Sequence, residues 1–342
     1  MIWKNIEIHN AAELVETDGG VTWTRVPGEI RERMEKENGK VMAGNSTGVE
    51  LRFVMKGDEV RIRMAALVPS TSVFHVFRGA IQGGWEDHEV DKYVFEEPRE
   101  YVIKKRGNSE VLKRIAEEFG QNWDPEVVRI VFDRGSFVLY DIIGEAEPPK
   151  PEQCPPQTLL AYGSSITHGS NSIDASHSWV WQAADRMKMD YRNLGMAGAC
   201  AMEPDLVDYI AAEGEQNRWA AAVLELGINV LDWEKDKIHA RVANTLRQVA
   251  GRNQGKPVFV ISPFYCSDDY KNQGQAAKWR ESIEEEVKKA GYANITYING
   301  LDLLGDMSLL SADEVHPNIY GVQQIADRLT ERLREAGGIR IV

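Results

Sequence analysis

Two patterns of apolar and polar positions divide the chain. Up to about residue 147, short runs alternate between apolar and polar residues and are separated by turn residues: GVELRFVM (48–55), DEVRIRMAAL (58–67), SVFHVFRG (72–79), VVRIVF (127–132) and SFVLYDII (136–143). A period of two, rich in Val, Ile, Phe and Tyr, is what a half-buried antiparallel strand requires. One stretch, SEVLKRIAEEF (109–119), has helical spacing instead and reads as an insertion. These features predict an N-terminal β-sandwich, jelly-roll-like, over residues 1–147.

The segment EAEPPKPEQCPP follows, with five prolines between Pro148 and Pro156. Proline fixes φ and removes a donor, so neither strand nor helix continues there, and residues 148–156 read as a linker. Beyond it, apolar runs alternate with amphipathic stretches. TLLAYGSS, RNLG, AAVLELG, PVFVISPF and ITYING read as strands, and WVWQAADRM, EPDLVDYIAA, IHARVANTLRQVA, AAKWRESIEEEVKKA and YGVQQIADRLTERLREAG as helices. Uninterrupted apolar strands between helices predict a three-layer α/β/α domain with a parallel sheet over residues 157–342. Ligands in such folds bind beyond the carboxyl ends of the strands.

Composition narrows the partners. A chain of 342 residues is long enough for about two domains. Its net charge of −13 opposes nucleic-acid phosphates and anionic lipid, and a neutral substrate suits it better. No long uncharged apolar run suggests a membrane span, and the opening MIWKNIEIHNAAELVE lacks the features of a secretory signal, so we expect a cytoplasmic protein. Cys154, Cys200 and Cys266 are odd in number without C-x-x-C spacing, which suggests neither a disulfide framework nor a zinc knuckle.

Candidate chemistry lies at four turns. Gly163, Ser164, Ser165, Ile166, Thr167 and His168 leave the first strand of the second half, where small residues can expose the Ser165 hydroxyl. Gly198, after Asn193-Leu194-Gly195, can offer an unobstructed N–H to an oxyanion, and the Asn229 amide after the third strand can donate to the same point. Asp313 stands three residues before His316, close enough for its carboxylate to reach imidazole Nδ1 while Nε2 stays free to take a serine proton. Each signal alone has an ordinary reading: a capping serine, a turn glycine, a capping asparagine, a surface Asp and His.

Their order, serine then glycine then asparagine then aspartate and histidine, resembles the four blocks of the SGNH or GDSL hydrolase superfamily over residues 158–337. The resemblance implies a serine esterase with Ser165 as nucleophile, Asp313 and His316 as acid and base, and Ser165, Gly198 and Asn229 as the oxyanion hole. No metal or cofactor is implied. Ser164 stands where the family name has aspartate, and Val230 follows Asn229 where aspartate is frequent. A sandwich ahead of the hydrolase domain is also similar to carbohydrate esterase family 2, which implies short-chain acyl esters, acetyl above all, on carbohydrates or similar polar alcohols. A longer-chain lipase or thioesterase, an acyltransferase of the same fold, and a non-catalytic carbohydrate-binding protein remain open alternatives.

Other residues compete for attention. His168 and His177 near Asp174 could suggest a metal, but no H-E-x-x-H pattern supports it. Phe74, Phe77 and Trp85 could bind carbohydrate, although period-two aromatics favour the core. Trp233 and Tyr265, in loops beyond strand ends, are the candidates for pocket walls, whereas Trp179 and Trp181 start a helix, so that at least one should face the sheet, and Phe264 ends a buried strand.

Overall fold

The computed structural model describes residues 1–67, 72–88 and 93–336. The chain forms two compact units: Met1–Gly28, Gly44–Pro156 and Lys188–Asp190 make the first, and Glu29–Ala43, Gln157–Met187 and Tyr191–Val342 the second. They are not two consecutive blocks of sequence, since a segment from the N-terminal half belongs to the C-terminal unit.

In the first unit the alternating runs form two antiparallel sheets. One is ordered Ile2–Trp3, Ile6–His9, Glu50–Met55, Val127–Phe132, Phe74–Arg78, Ile81–Gln82, with Ala146–Glu147 also pairing to Glu50–Met55. The other is ordered Glu13–Thr17, Gly20–Thr24, Phe137–Ile143, Glu59–Ala66, Arg99–Lys104. Alternate residues of both sheets share one apolar cluster, with Leu51, Phe53, Val128 and Ile130 from the first and Trp23, Ile62, Met64 and Leu139 from the second. The register opposes Val128 to Phe53 and Ile130 to Leu51, which keeps these side chains on one face.

The strand alternation suggests a solvated second face, but Glu50–Met55 and Val127–Phe132 are buried on both. Charges fill the polar positions and satisfy one another. Arg129 Nη2 donates to Glu50 Oε1 at 2.7 Å and Arg52 Nε to Glu50 Oε2 at 2.8 Å, beneath the Trp123 ring. Burial alone would raise the Glu50 carboxyl, but the Arg129 and Arg52 guanidiniums hold it far below the ordinary range. The helix expected over 109–119 is present as Ser109–Glu118. The proline-rich stretch is pinned to this unit: Asp124 N–H donates to Gln153 O at 3.0 Å, and Gln153 Nε2 to Asp124 Oδ2 at 3.0 Å. Phe74 and Phe77 are buried, whereas Trp85 is 85% exposed.

The second unit is mixed α/β around a sheet ordered Asp190–Gly195, Thr158–Gly163, Ala221–Glu225, Val258–Ile261, Ile295–Ile298. The last four pair in parallel. Helix Lys235–Val249 packs between Pro204–Glu215 and Gln275–Ala290, and Trp179–Arg186 packs against Ile319–Glu335. Helix starts follow the local sequence: Ser178 accepts the Trp181 N–H, Pro204 occupies a first-turn position, and Asn318 accepts from Tyr320 and Gly321. Among the described residues no helix is long and apolar enough to cross a membrane.

Candidate active site

Ser165 opens a one-turn helix, Ser165–His168, directly after the strand Thr158–Gly163. Ser164 caps it by accepting the Ile166 N–H at 3.1 Å. As the first helical residue, Ser165 has a backbone N–H with no acceptor in the protein among the described residues. The second turn holds this helix in place. Asn193 Nδ2 donates to Thr167 O at 2.8 Å and Asn193 Oδ1 accepts the Gly195 N–H at 2.8 Å. A Cβ at Gly195 would stand 2.2 Å from the His168 nitrogen, so glycine is required for this approach.

Gly198 completes the same turn at φ +67, a backbone conformation that favours glycine, and its N–H also meets no protein acceptor among the described residues. Asn229 lies in the short helix Ile228–Val230 after the third strand. Its Oδ1 accepts the Cys200 N–H at 3.0 Å, which fixes the amide orientation and leaves Nδ2 as a donor.

Asp313 and His316 close a tight loop just ahead of the Asn318-capped helix. Asp313 Oδ1 accepts the backbone N–H groups of Val315 and His316 at 3.0 and 2.9 Å. Its Oδ2 lies 2.9 Å from His316 Nδ1 and accepts Asn171 Nδ2 at 2.8 Å. Partial burial raises the carboxyl, but the His316 and Val315 N–H groups and the imidazole outweigh that and bring it to about 2. An ionised carboxylate only accepts, so Nδ1 carries the imidazole proton and Nε2 the lone pair. His316 Nε2 is 2.7 Å from Ser165 Oγ, so the hydroxyl donates to it. This is the arrangement nucleophilic acyl transfer requires: a hydroxyl, a base to take its proton, and a carboxylate to orient the base.

A carboxylate that no sequence motif marks lies beneath the Ser165 turn. Glu225, fully buried at the end of the third strand, accepts on Oε2 from Ser164 N–H at 2.7 Å, Ser164 Oγ at 2.7 Å and Thr167 Oγ1 at 3.0 Å. Burial pushes its carboxyl up to about 7 against the lowering effect of those donors. The family block places an aspartate where this chain has Ser164, and here a glutamate from the neighbouring strand supplies a carboxylate to the same turn. Val230, where the family often has a second aspartate, is buried, and its carbonyl accepts the Trp279 indole N–H at 2.9 Å.

Trp233 and Tyr265 are half-buried. Trp233 lines a cleft of about 730 Å³ with Leu231, Lys278 and Trp279, and Lys237 stacks over its ring at 3.9 Å. None of Ser165, Asp313 and His316 lines that cleft. Tyr265 donates its backbone N–H to Leu304 O at 3.1 Å. His177 Nδ1 lies 2.9 Å from Asp174 Oδ1, and among the described residues no group of three His, Cys, Asp or Glu could hold a metal ion.

The Ser165 turn at the end of the first parallel strand, the Gly198 and Asn229 turns after the next strand ends and the Asp313-His316 loop before the last helix make up the arrangement expected of an acyl-group hydrolase. Residues 157–334 match the GDSL-like lipase/acylhydrolase family, and the chain belongs to that family. No curated protein matches it. Among solved structures, the salicylyl-acyltransferase SsfX3 of a tetracycline biosynthetic pathway is similar, with a TM-score of 0.77 and 17% identity over 98% of this chain and 97% of that one. A family two carbohydrate esterase from Cellvibrio japonicus has a TM-score of 0.65 at 11% identity, covering 97% and 95% of the two chains. One from Clostridium thermocellum, solved with cellohexaose, has 0.61 at 14%, covering 98% and 100%. At these identities the likeness is one of fold.

Proposed function

We propose that the protein is a serine esterase that removes short acyl groups, acetyl above all, from a carbohydrate or a similarly polar alcohol. The observation that carries this reading is the line of hydrogen bonds from Asp313 Oδ2 through His316 to Ser165 Oγ. In the proposed reaction, His316 Nε2 takes the Ser165 proton as Oγ adds to the ester carbonyl carbon. The carbonyl oxygen becomes an oxyanion and accepts from the Ser165 and Gly198 N–H groups and Asn229 Nδ2. The C–O bond to the alcohol then breaks, and the imidazolium returns its proton to the departing oxygen. Water, deprotonated by Nε2, adds to the acyl-enzyme and releases the acid, with the proton returning to Ser165.

The short-acyl preference rests on the loops around Ser165. Each buried CH₂ contributes about 0.8 kcal/mol, so selection of long chains needs extended apolar surface. The loop after Ser165 reads HGSNSIDASHS and the one after Asn229 reads VLDWEKDK, with no apolar lid, while Cys200, Ala201 and Met202 after Gly198 are buried. The carbohydrate esterases of similar fold favour a sugar as the alcohol, by analogy. The similarity to an acyltransferase favours a second reading, in which an alcohol replaces water as acceptor. The two antiparallel sheets of the first unit support describing it as a jelly-roll-like β-sandwich, joined through residues 148–156.

A panel of aryl esters from acetate to octanoate tests the acyl preference, and acetate release from acetylated oligosaccharides tests the alcohol. Faster cleavage of acetate supports the proposal, and a preference for octanoate overturns it. Hydrolysis that persists unchanged as alcohol acceptors are added favours water; ester products accumulating at its expense favour transfer.

A further inference from the structure

The second unit includes Glu29–Ala43, a segment drawn from the N-terminal half of the chain. It is fastened to the turns that follow the second and third strands. Lys36 Nζ donates to Asn229 O at 2.9 Å and to Gly198 O at 3.4 Å. Asn38 Nδ2 donates to Ala197 O at 2.5 Å, and Gly39 packs against Ala199. Glu35 pairs with Arg241, whose guanidinium also donates to Met202 O at 3.2 Å, and Arg33 Nε lies 3.1 Å from Asp205 Oδ2.

These bonds converge on the residues that carry the candidate oxyanion donors. Gly198 and Asn229 lie on different turns, joined to each other through Asn229 Oδ1 and the Cys200 N–H. Lys36 is the one cation with hydrogen bonds to the main chain of both Gly198 and Asn229 among the described residues. A donor pair of this kind lowers a barrier only if both groups stand at the oxyanion position before charge develops, because reorganisation during the reaction would consume the gain. Half-buried Lys36, whose ammonium bridges the two carbonyls, limits their separation and keeps a positive charge on the two turns that carry the candidate donors.

We propose that Lys36 is a positioning residue for the oxyanion turns, holding Gly198 and Asn229 in register and favouring the charged transition state over the neutral ester. The proposal rests on the esterase reading above. Its consequence is a specific kinetic signature: Lys36 acts on kcat, since a neutral ground-state ester gains little from it, and KM is left nearly unchanged.

The test compares Lys36→Met, Lys36→Gln and Lys36→Arg with wild type on an aryl acetate, using Lys40→Met as a charge-removal control on the same segment, where Lys40 pairs with Glu37 at 2.8 Å. Fluorophosphonate labelling of wild-type Ser165 is measured first; its absence overturns the esterase reading and this proposal with it. With labelling established, Lys36→Met is expected to lower kcat about tenfold, less than the roughly 100- to 1000-fold that follows loss of a direct oxyanion donor. KM should stay within about twofold. Lys36→Arg, which keeps charge and donor, should recover most of kcat, and Lys36→Gln, which keeps a donor without the charge, should fall between. Lys40→Met should match wild type. A Lys36→Met protein that melts like wild type and keeps its kcat overturns the proposal while leaving the esterase reading intact. So does a Lys36→Gln protein with full kcat, or a loss in Lys36→Met that appears equally in KM and melting temperature, because the lysine would then serve only to dock the segment.

Discussion

Ser164 Oγ donates to Glu225 Oε2 at 2.7 Å, and the same oxygen accepts the Ser164 N–H, so a carboxylate on one strand clamps the turn that leaves its neighbour. Glu225 is fully buried, its carboxyl is raised to about 7 by burial, and its other oxygen has no hydrogen-bond partner among the described residues. In the unfolded chain this carboxyl ionises near its ordinary 4.5. Between these values the folded state binds the extra proton, so the contribution of Glu225 to stability is fully present below about 4.5 and is lost as pH rises toward 7. Glu225→Gln removes this titration. The difference in melting temperature between wild type and Glu225→Gln should therefore shift in favour of the variant as pH rises from 5 to 8, and a pH-independent difference would contradict the account. Glu225→Ala should also lower kcat, because the Ser165 turn loses three bonds at once.

The loop around Asp313 predicts a separation of roles. Asp313→Asn should leave the fold intact yet lower kcat by up to roughly 10⁴-fold, because an amide no longer holds the imidazole in the tautomer with Nε2 free. Asn171→Ala removes one hydrogen bond to the same oxygen, and a typical bond of ~0.5–1.5 kcal/mol bounds the loss at about tenfold. Because the carboxyl titrates at about 2, loss of activity between pH 7 and 4 should not come from Asp313. Steady-state kinetics of both variants across pH decide the point, and near-wild-type kcat in Asp313→Asn would reduce the site to a serine and histidine pair.

Gly195→Ala should be costly for a different reason. The added methyl meets backbone of the Ser165–His168 turn rather than a movable side chain, so helix and turn must separate. A destabilisation of ~1–3 kcal/mol is expected from overpacking. Under the proposed mechanism, a displacement of Ser165 by about 1 Å would lower kcat by roughly 100-fold. Urea denaturation and kinetics of the one variant measure both, and unchanged values would contradict the close approach.

Much of this was legible in the sequence, because periodicity and turn chemistry are local. Period-two runs became antiparallel strands and apolar runs became the parallel sheet, while Ser165, Gly198 and Asn229 lie in turns that follow strands and Asp313 and His316 in the loop before the last helix. The segment Glu29–Ala43 was not legible: its joining of the second unit depends on long-range bonds of Glu35, Lys36 and Asn38 that leave no periodic trace. Glu225 was hidden because a lone carboxylate at the end of an apolar strand looks like the polar edge of a turn. Only the bonds from Ser164 and Thr167 give it a purpose. The alternation in Glu50–Met55 suggested a wet face, since no local pattern distinguishes solvated charges from charges paired across strands.

The division of the chain predicts the behaviour of a truncated protein. A fragment beginning at Gln157 lacks Ile30, Met34, Gly39 and Ala43, which are buried in the intact chain, together with Lys36 and Asn38. Such a fragment should be poorly soluble, or folded with a reduced kcat. Restoring residues 29–43 as a separate peptide should recover part of either property. A soluble fragment with unchanged kinetics would show that the segment is dispensable.

The identity of the nucleophile is the claim on which the rest depends, and covalent labelling measures it directly. A fluorophosphonate should label wild type and Ser164→Ala at a single residue that peptide mapping locates at Ser165, and should fail to label a folded Ser165→Ala protein. Labelling that persists in Ser165→Ala, or its absence from wild type, would contradict the account.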